Sequence, residues 1–131
     1  MRQFLSPERY SHFTLEIEKE ECRFGNVDEI VNYLKQCIDA HSIAAFITIF
    51  DHLSHTHNIV NGQVDSEILD AKNIIFCFGI TLQDPQSMAL RPRSIGVVEL
   101  AGCFIVTFME TPMPVANVTM EKWAKSLIVA V

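Results

Sequence analysis

Apolar positions recur with a period of two near the start of the chain and with a helical period directly after it. Residues 13–24 open with an apolar side chain at every second position, which is the pattern of a half-exposed β-strand. In residues 26–42 the apolar side chains recur at intervals of three and four, and Asn26 with Glu29 forms a helix start signal. The pattern predicts a strand and then an amphipathic helix with one face in a core. The apolar positions of this helix are Val27, Ile30, Val31, Leu34, Cys37 and Ile38.

Four further apolar stretches predict the remaining strands. Residues 43–50 and 73–80 are rich in β-branched and aromatic side chains and are apolar at successive positions, which is typical of strands covered by helices. Residues 94–100 and 103–110 predict a hairpin, with a tight turn at residues 101–102 between the two runs. The central part of the chain is therefore expected to form a sheet.

The rest of the chain predicts a loop and a second helix. Residues 83–94 contain two prolines among polar neighbours and are expected to form a loop. Residues 111–117 break the sheet, and residues 118–131 return to helical spacing. The predicted order is β-α-β-β-β-β-α, in a single α+β domain over residues 1–131. The apolar face of the second helix is formed by Met120, Trp123, Ala124, Leu127 and Ile128.

Composition and charge exclude several classes of protein. A chain of 131 residues with 49% hydrophobic side chains can bury a core without disulfides or a structural metal. The net charge of −6 argues against nucleic-acid binding, which needs clustered Lys and Arg. No apolar run reaches the roughly 18 residues of a membrane span, so we expect a cytoplasmic protein with no membrane partner. The positive mean hydropathy of +0.21 favours an oligomer that covers further apolar surface.

Two other features are interpreted as structural. The four cysteines form no CxxC pair, and they are expected to be buried free thiols in a reducing compartment. The acidic run at residues 16–21 is interpreted as the solvated face of an edge strand rather than as a cation site.

Three of the five histidines, His52, His55 and His57, lie in the segment FDHLSHTHN, directly after the predicted strand at residues 43–50. If this segment is helical, His55 shares a face with Asp51 and His52; if it is extended, His55 and His57 point the same way. Imidazole is a common ligand of Zn²⁺ and related ions, so a divalent transition metal held by the three histidines is one hypothesis. The alternative is a polar turn in which only His52 has a fixed structural position.

The order of elements and the pieces IFDHLSHTHNIV, IIFCFG and LRPR resemble the domain-of-unknown-function family 302. The match spans roughly residues 13–111, although the Asn-Pro that follows Phe-Gly in that family is absent here. The resemblance implies a fold similar to that of the TATA-box-binding protein, with an antiparallel sheet, two helices packed on one face, and a homodimeric assembly. It also implies a ligand site at Asp51, His52, Phe78 and Gly79, but no particular reaction.

Three classes of function remain open, because no P-loop, G-x-S-x-G or dinucleotide-binding motif is present. The function we expect is that of a homodimeric binding module with a pocket near the histidine-rich segment. The alternatives are an enzyme that uses His52, oriented by Asp51, in acid–base or metal-assisted chemistry, and an interaction protein whose sheet is only an interface. A pocket lined by His52 favours the first two classes, and contact between Asp51 and the imidazole favours the enzyme.

Overall fold

One antiparallel sheet organises the part of the chain that the structure, a computed structural model, describes, which is residues 1–129. The elements in chain order are β1 (His12–Glu18), α1 (Val27–Ala40), β2 (Ala44–Asp51), α2 (His52–His57), β3 (Asp70–Phe78), a 3₁₀ helix (Pro85–Leu90), β4 (Arg93–Glu99), β5 (Cys103–Met109) and α3 (Pro114–Lys125). Within residues 1–129 the sheet has five strands in the order β1-β5-β4-β3-β2, and all neighbouring pairs are antiparallel. The predicted α+β class and the predicted order of elements along the chain are confirmed, and α2 and the 3₁₀ helix are additions to that order.

The helices α1 and α3 cover the same face of the sheet. Along β3, Ile74, Phe76 and Phe78 are buried, whereas the residues between them are only half-buried. Trp123 of α3 packs its ring 5.8 Å from that of Phe76 and 6.3 Å from that of Phe78, measured between ring centroids. Buried and half-buried side chains thus alternate along β3, so the sheet has one face covered by helices and one open face.

Helix α1 forms where the sequence predicts it because its cap and its apolar stripe are both local. The Asn26 side chain accepts a hydrogen bond of 2.8 Å from the Glu29 backbone N–H, and the Glu29 carboxylate accepts one of 3.1 Å from the Gly25 N–H. These bonds satisfy N–H groups that a helix start leaves free. Of the six predicted apolar positions, five are buried and Cys37 is half-buried.

Helix α3 differs from its prediction at both ends. It begins at Pro114, inside the segment expected to break the sheet, because the first position of a helix needs no N–H and suits proline. The Asn117 side chain helps to fix this start: its Nδ2 donates to the Thr111 carbonyl and its Oδ1 accepts from the Thr111 N–H, each at 2.8 Å. The helix ends at Lys125, and residues 130–131 of the predicted helix lie outside the described residues.

Strand β2 lies at one edge of the sheet and contains a β-bulge. The register with β3 shifts between Phe46 and Thr48, so Ile47 is an extra residue on β2. Ile47 is 50% exposed and Phe50 is also exposed. The apolar runs at residues 43–50 and 73–80 predict strands covered on both faces, but α1 and α3 cover only one face of the sheet, and alternate residues of both strands stay exposed or half-buried.

Strand β1 forms the other edge, and it has the solvated acidic face that the sequence predicts. Glu16 and Glu18 are exposed, and Ile17 between them is fully buried. The hairpin between β4 and β5 is also confirmed, with a Leu100 N–H donating to the Cys103 carbonyl at 2.9 Å. No helix within residues 1–129 has the length and apolar character needed to cross a membrane.

Replacement of Leu34 tests the packing of α1 on the sheet. Leu34 is fully buried in the apolar stripe, so Leu34→Ala should lower the free energy of unfolding by about 2–5 kcal/mol through lost burial and a residual cavity. Gln36 is exposed on the same helix, and Gln36→Ala should change that free energy by less than about 0.5 kcal/mol. Urea denaturation measures both values, and equal effects of the two variants would mean that α1 does not pack as described.

Candidate functional site

The four residues of the predicted ligand site lie at two ends of the sheet. Asp51 pairs with Lys72 at one end of β2, and Phe78 pairs with Ala44 at the other. A strand of this length spans roughly 20–25 Å, so Asp51 and His52 do not share a pocket with Phe78 and Gly79. The region around Asp51 and His52 is the histidine end, and the region around Phe78 and Gly79 is the arginine pocket.

At the histidine end, Asp51 acts as the cap of helix α2. Its Oδ1 accepts a hydrogen bond of 3.0 Å from the Ser54 backbone N–H, which lowers the pKa of Asp51 from its ordinary value. Lys72 Nζ lies 3.9 Å from Asp51 Oδ2 and donates a hydrogen bond to Asp28, which raises the pKa of Lys72. Asp51 therefore stabilises a helix start, and among residues 1–129 no hydrogen bond joins it to His52.

The residue that orients the His52 imidazole is Asn73 and not Asp51. His52 Nδ1 lies 3.0 Å from Asn73 Oδ1, and Asn73 Nδ2 donates to Ser94 Oγ at 3.1 Å. With Asn73 Nδ2 donating to Ser94, Oδ1 can only accept, so we expect Nδ1 to carry the proton and Nε2 to be the nitrogen left for a ligand or a proton. Asn73 was not predicted as a site residue; the signal was a polar side chain at the start of an otherwise apolar strand.

The histidine-rich segment forms a helix, which brings two of the three predicted metal ligands together. The ring centroids of His52 and His55 are 6.3 Å apart, and both rings pack against Phe50. His57 is two residues beyond His55, and positions two apart on a helix do not share a face. Within residues 1–129, no group of three His, Cys, Asp or Glu side chains is placed to hold a metal ion.

A groove of about 270 Å³ lies beside α2. The chain after α2 folds back onto it, and a Cβ at Gly62 would lie 2.1 Å from the Thr56 carbonyl oxygen, so only glycine fits there. The wall of the groove contains one imidazole, that of His52, together with polar and apolar side chains. Its lining residues are His52, Leu53, Thr56, Gln63, Val64, Asp65, Ile68 and Ala71.

The arginine pocket is a cavity of about 190 Å³ between the end of β3, the 3₁₀ helix and the start of α3. Gly79 has a φ of 112°, a conformation that favours glycine. A Cβ at Gly79 would lie 3.3 Å from Arg91 Nη2 and 3.4 Å from Met113 Cε, so the absence of a side chain lets both approach closely. The cavity is lined by Phe78, Ser87, Leu90, Arg91, Arg93, Thr111, Pro112, Met113 and Ala116.

Arg93 is a buried cation in the wall of this pocket. Its side chain is among the buried residues, with 8% exposure, and its Nη1 donates to the Leu90 carbonyl at 2.8 Å while its Nη2 donates to the Met109 carbonyl. Its Nε is buried and has no hydrogen-bond partner within residues 1–129. Burial lowers the pKa of Arg93 from its ordinary value, yet a guanidinium keeps its proton in proteins.

Arg91 adds a second cation to the same wall. It is half-buried, and its Nη1 donates to the Thr81 carbonyl. In the described part of the chain, neither Arg91 nor Arg93 forms an ion pair with a carboxylate. A buried charge without a counter-charge costs several kcal/mol. The sequence predicts a loop at both arginines and indicates no role for either.

Comparisons with known proteins support the fold and supply no activity. A protein-family model described as a family of unknown function, DUF6858, matches residues 1–129. No curated protein matches the sequence. The crystal structure of an uncharacterized conserved protein, DUF302, from Bacillus stearothermophilus is similar, with a TM-score of 0.52, 14% sequence identity and 88% of each chain covered. This likeness supports the predicted resemblance to family 302 at the level of the fold alone, and the matching family model has a different name.

The hydrogen bond between Asn73 and His52 predicts the tautomer of the imidazole. In mildly alkaline buffer, neutral His52 should carry its proton on Nδ1 because Asn73 Oδ1 accepts it, and ¹⁵N NMR shifts of the ring measure this. Asn73→Ala should return His52 to the tautomer mixture of a free imidazole. His55, on the same helix, serves as the internal control. If Asn73→Ala leaves the His52 shifts unchanged, Asn73 does not orient the ring.

Proposed function

Because the chain belongs to a family of unknown function, DUF6858, we propose its function from the geometry: the protein is a module that binds a small organic molecule in the arginine pocket. The observation that carries this proposal is a preformed cavity of about 190 Å³ whose walls are largely apolar but contain a few polar groups. Such concave sites are the usual places for small ligands. Phe78 and Gly79, two of the predicted ligand residues, belong to this region.

The size and walls of the cavity limit the ligand. A cavity of roughly 150 Å³ in another protein holds a benzene molecule, so a single ring or a short branched chain fits here. Phe78, Met113 and Ala116 supply apolar contacts, while Thr111 and Ser87 contribute polar atoms. The expected ligand therefore has an apolar body and one polar end.

Acid–base chemistry at the histidine end is a second candidate function. It is favoured by the hydrogen bond from His52 Nδ1 to Asn73, which leaves Nε2 as a candidate proton acceptor beside the groove. It is less well supported than binding, because Asp51 is engaged by Ser54 rather than by the imidazole. A Zn²⁺ ion would find two neighbouring imidazoles there, those of His52 and His55.

We also infer that the module is a homodimer in which a second copy covers the open face of the sheet. Exposed Ile47 and Phe50 and half-buried Ile75, Val98 and Ile105 supply apolar surface on this face. A self-complementary face suits a two-fold symmetric pair.

The four free cysteines support a reducing compartment, and hence the cytoplasmic location that the sequence predicts.

A variant that fills the pocket tests the proposed binding function. Ser87 lies on the 3₁₀ helix and is half-buried in the pocket wall, so Ser87→Phe should fill the cavity without disturbing the core. A set of single-ring and short-chain fragments should shift the NMR amide signals of Phe78 and Ala116, and Ser87→Phe should weaken their binding about tenfold or more.

Ser66→Phe, at an exposed site elsewhere, is the matched control and should bind as the unmodified protein does. If fragments shift only the signals of residues around His52, the binding site lies at the histidine end and not in the arginine pocket. Fragments that shift no signals at all would rule out a small-molecule pocket.

The proposed homodimer is tested by light scattering. The protein should have the mass of a dimer at micromolar concentration, and Ile47→Lys should convert it to a monomer because a charge on the open face would be buried without a partner. Val60 is exposed away from the sheet, and Val60→Lys should remain dimeric. A monomer in the unmodified protein contradicts the assembly.

A further inference from the structure

We propose that the ligand of the arginine pocket is a small carboxylate whose charged group meets Arg91 and Arg93 and whose apolar body lies against Phe78 and Met113. This inference rests on the binding function proposed above, and it adds the charge and chemical class of the ligand.

The arginine pocket has a local excess of positive charge. The chain has 10 Lys and Arg against 16 Asp and Glu, so acidic side chains outnumber basic ones over the whole molecule. The lining of the pocket reverses this balance, because it includes two arginines and no acidic residue. A cavity that concentrates positive charge in an acidic protein attracts anions.

The charge of Arg93 has no counter-charge within the described residues 1–129. Its two hydrogen bonds go to the carbonyl oxygens of Leu90 and Met109, which are neutral acceptors and leave the charge unbalanced. Among residues 1–129 no carboxylate pairs with the guanidinium. A ligand carboxylate would supply the missing negative charge, since arginine and carboxylate form strong charge-assisted hydrogen bonds.

The walls and the volume of the pocket favour a carboxylate over a phosphate. The walls provided by Phe78, Met113 and Ala116 are apolar, and removing a doubly charged group from water into such surroundings costs more than removing a singly charged one. The cavity is also too small to hold a phosphate together with a large organic body. A planar, singly charged group with a compact apolar body fits both the charge and the volume.

A purely structural role for Arg93 is the competing explanation. In that role the side chain ties the end of the 3₁₀ helix to the end of β5 through the two carbonyls. Such a tie needs neither the second cation at Arg91 nor a cavity beside it. The two roles therefore differ in what Arg91 should do and in how charged and neutral ligands of one shape should compare.

The test uses two pairs of probes with matched shape: benzoate with benzamide, and isovalerate with isovaleramide. Inorganic phosphate is the anion without an apolar body. We expect benzoate or isovalerate to raise the melting temperature with increasing concentration and to bind about tenfold or more tightly than its amide in calorimetry. Added KCl should weaken binding of the carboxylate and leave that of the amide unchanged.

Arg91→Gln is the main variant, because this side chain is half-buried and its loss should leave the fold intact. It should weaken carboxylate binding about tenfold or more and weaken amide binding much less, because the amide loses a neutral hydrogen bond but no charge interaction. Arg23→Gln is the matched control: Arg23 also donates to a backbone carbonyl, that of Ser126, but lies outside the pocket. Arg93→Lys keeps the charge but not the planar fork, and it should also weaken carboxylate binding.

Each outcome decides between the inference and the function on which it rests. If the amides bind as tightly as the carboxylates, or Arg91→Gln has no effect, the carboxylate is overturned and the pocket function remains. If phosphate binds more tightly than either carboxylate, the pocket takes an anion of another class. If no probe and no fragment of the wider set binds, both proposals fail.

Discussion

Burial of one sheet face beneath α1 and α3 fixes the register of the strands, since a slip of one residue would turn every buried side chain of a strand toward solvent. On β3 such a slip would expose Ile74, Phe76 and Phe78, which pack under the two helices. The same burial leaves the opposite face open. Strand residues alternate between the covered and the open face. A polar side chain on a strand is therefore buried if its position alternates with the core residues, and accessible if it does not.

The alternation of buried and open positions along β3 and β4 places the polar residues of both candidate regions. Arg93 is in phase with Ile95 and Val97 on β4, so the register that buries those two residues also buries a guanidinium. Asn73 and Ser94 have the opposite phase and meet on the open face, where their side chains hold the His52 ring. One covered face thus produces a buried cation in one region and an accessible imidazole in the other.

The features that the sequence predicts well are those with local causes. The cap at Asn26 and the apolar stripe of α1 lie within a few turns of one another, and the turn before Cys103 lies between two clear strands. The sequence does not predict the start of α3, because the prolines within residues 111–117 indicate a segment without regular structure. In the structure Pro114 is the first residue of the helix.

The candidate sites depend on contacts between residues far apart in sequence, and these could not be predicted. Asp51 and His52 are adjacent in the chain, yet one caps α2 and the other bonds to Asn73 on β3. Arg93 falls in the loop that residues 83–94 predict, because two prolines and polar neighbours dominate that segment, whereas in the structure β4 begins at Arg93. Sequence patterns indicate which residues are polar, but the sheet register decides which of them meet.

The bulge at Ile47 bears on how this chain avoids fibrous aggregation. The run at residues 44–50 is apolar, rich in β-branched residues and located on an edge strand, which is the composition that seeds amyloid-like stacking. An extra residue in the middle of the strand interrupts the row of backbone groups that an incoming strand would need. At the opposite edge, the negative charges of Glu16 and Glu18 would repel a second copy laid alongside. Both edges of the sheet therefore resist the strand-by-strand growth of a fibril.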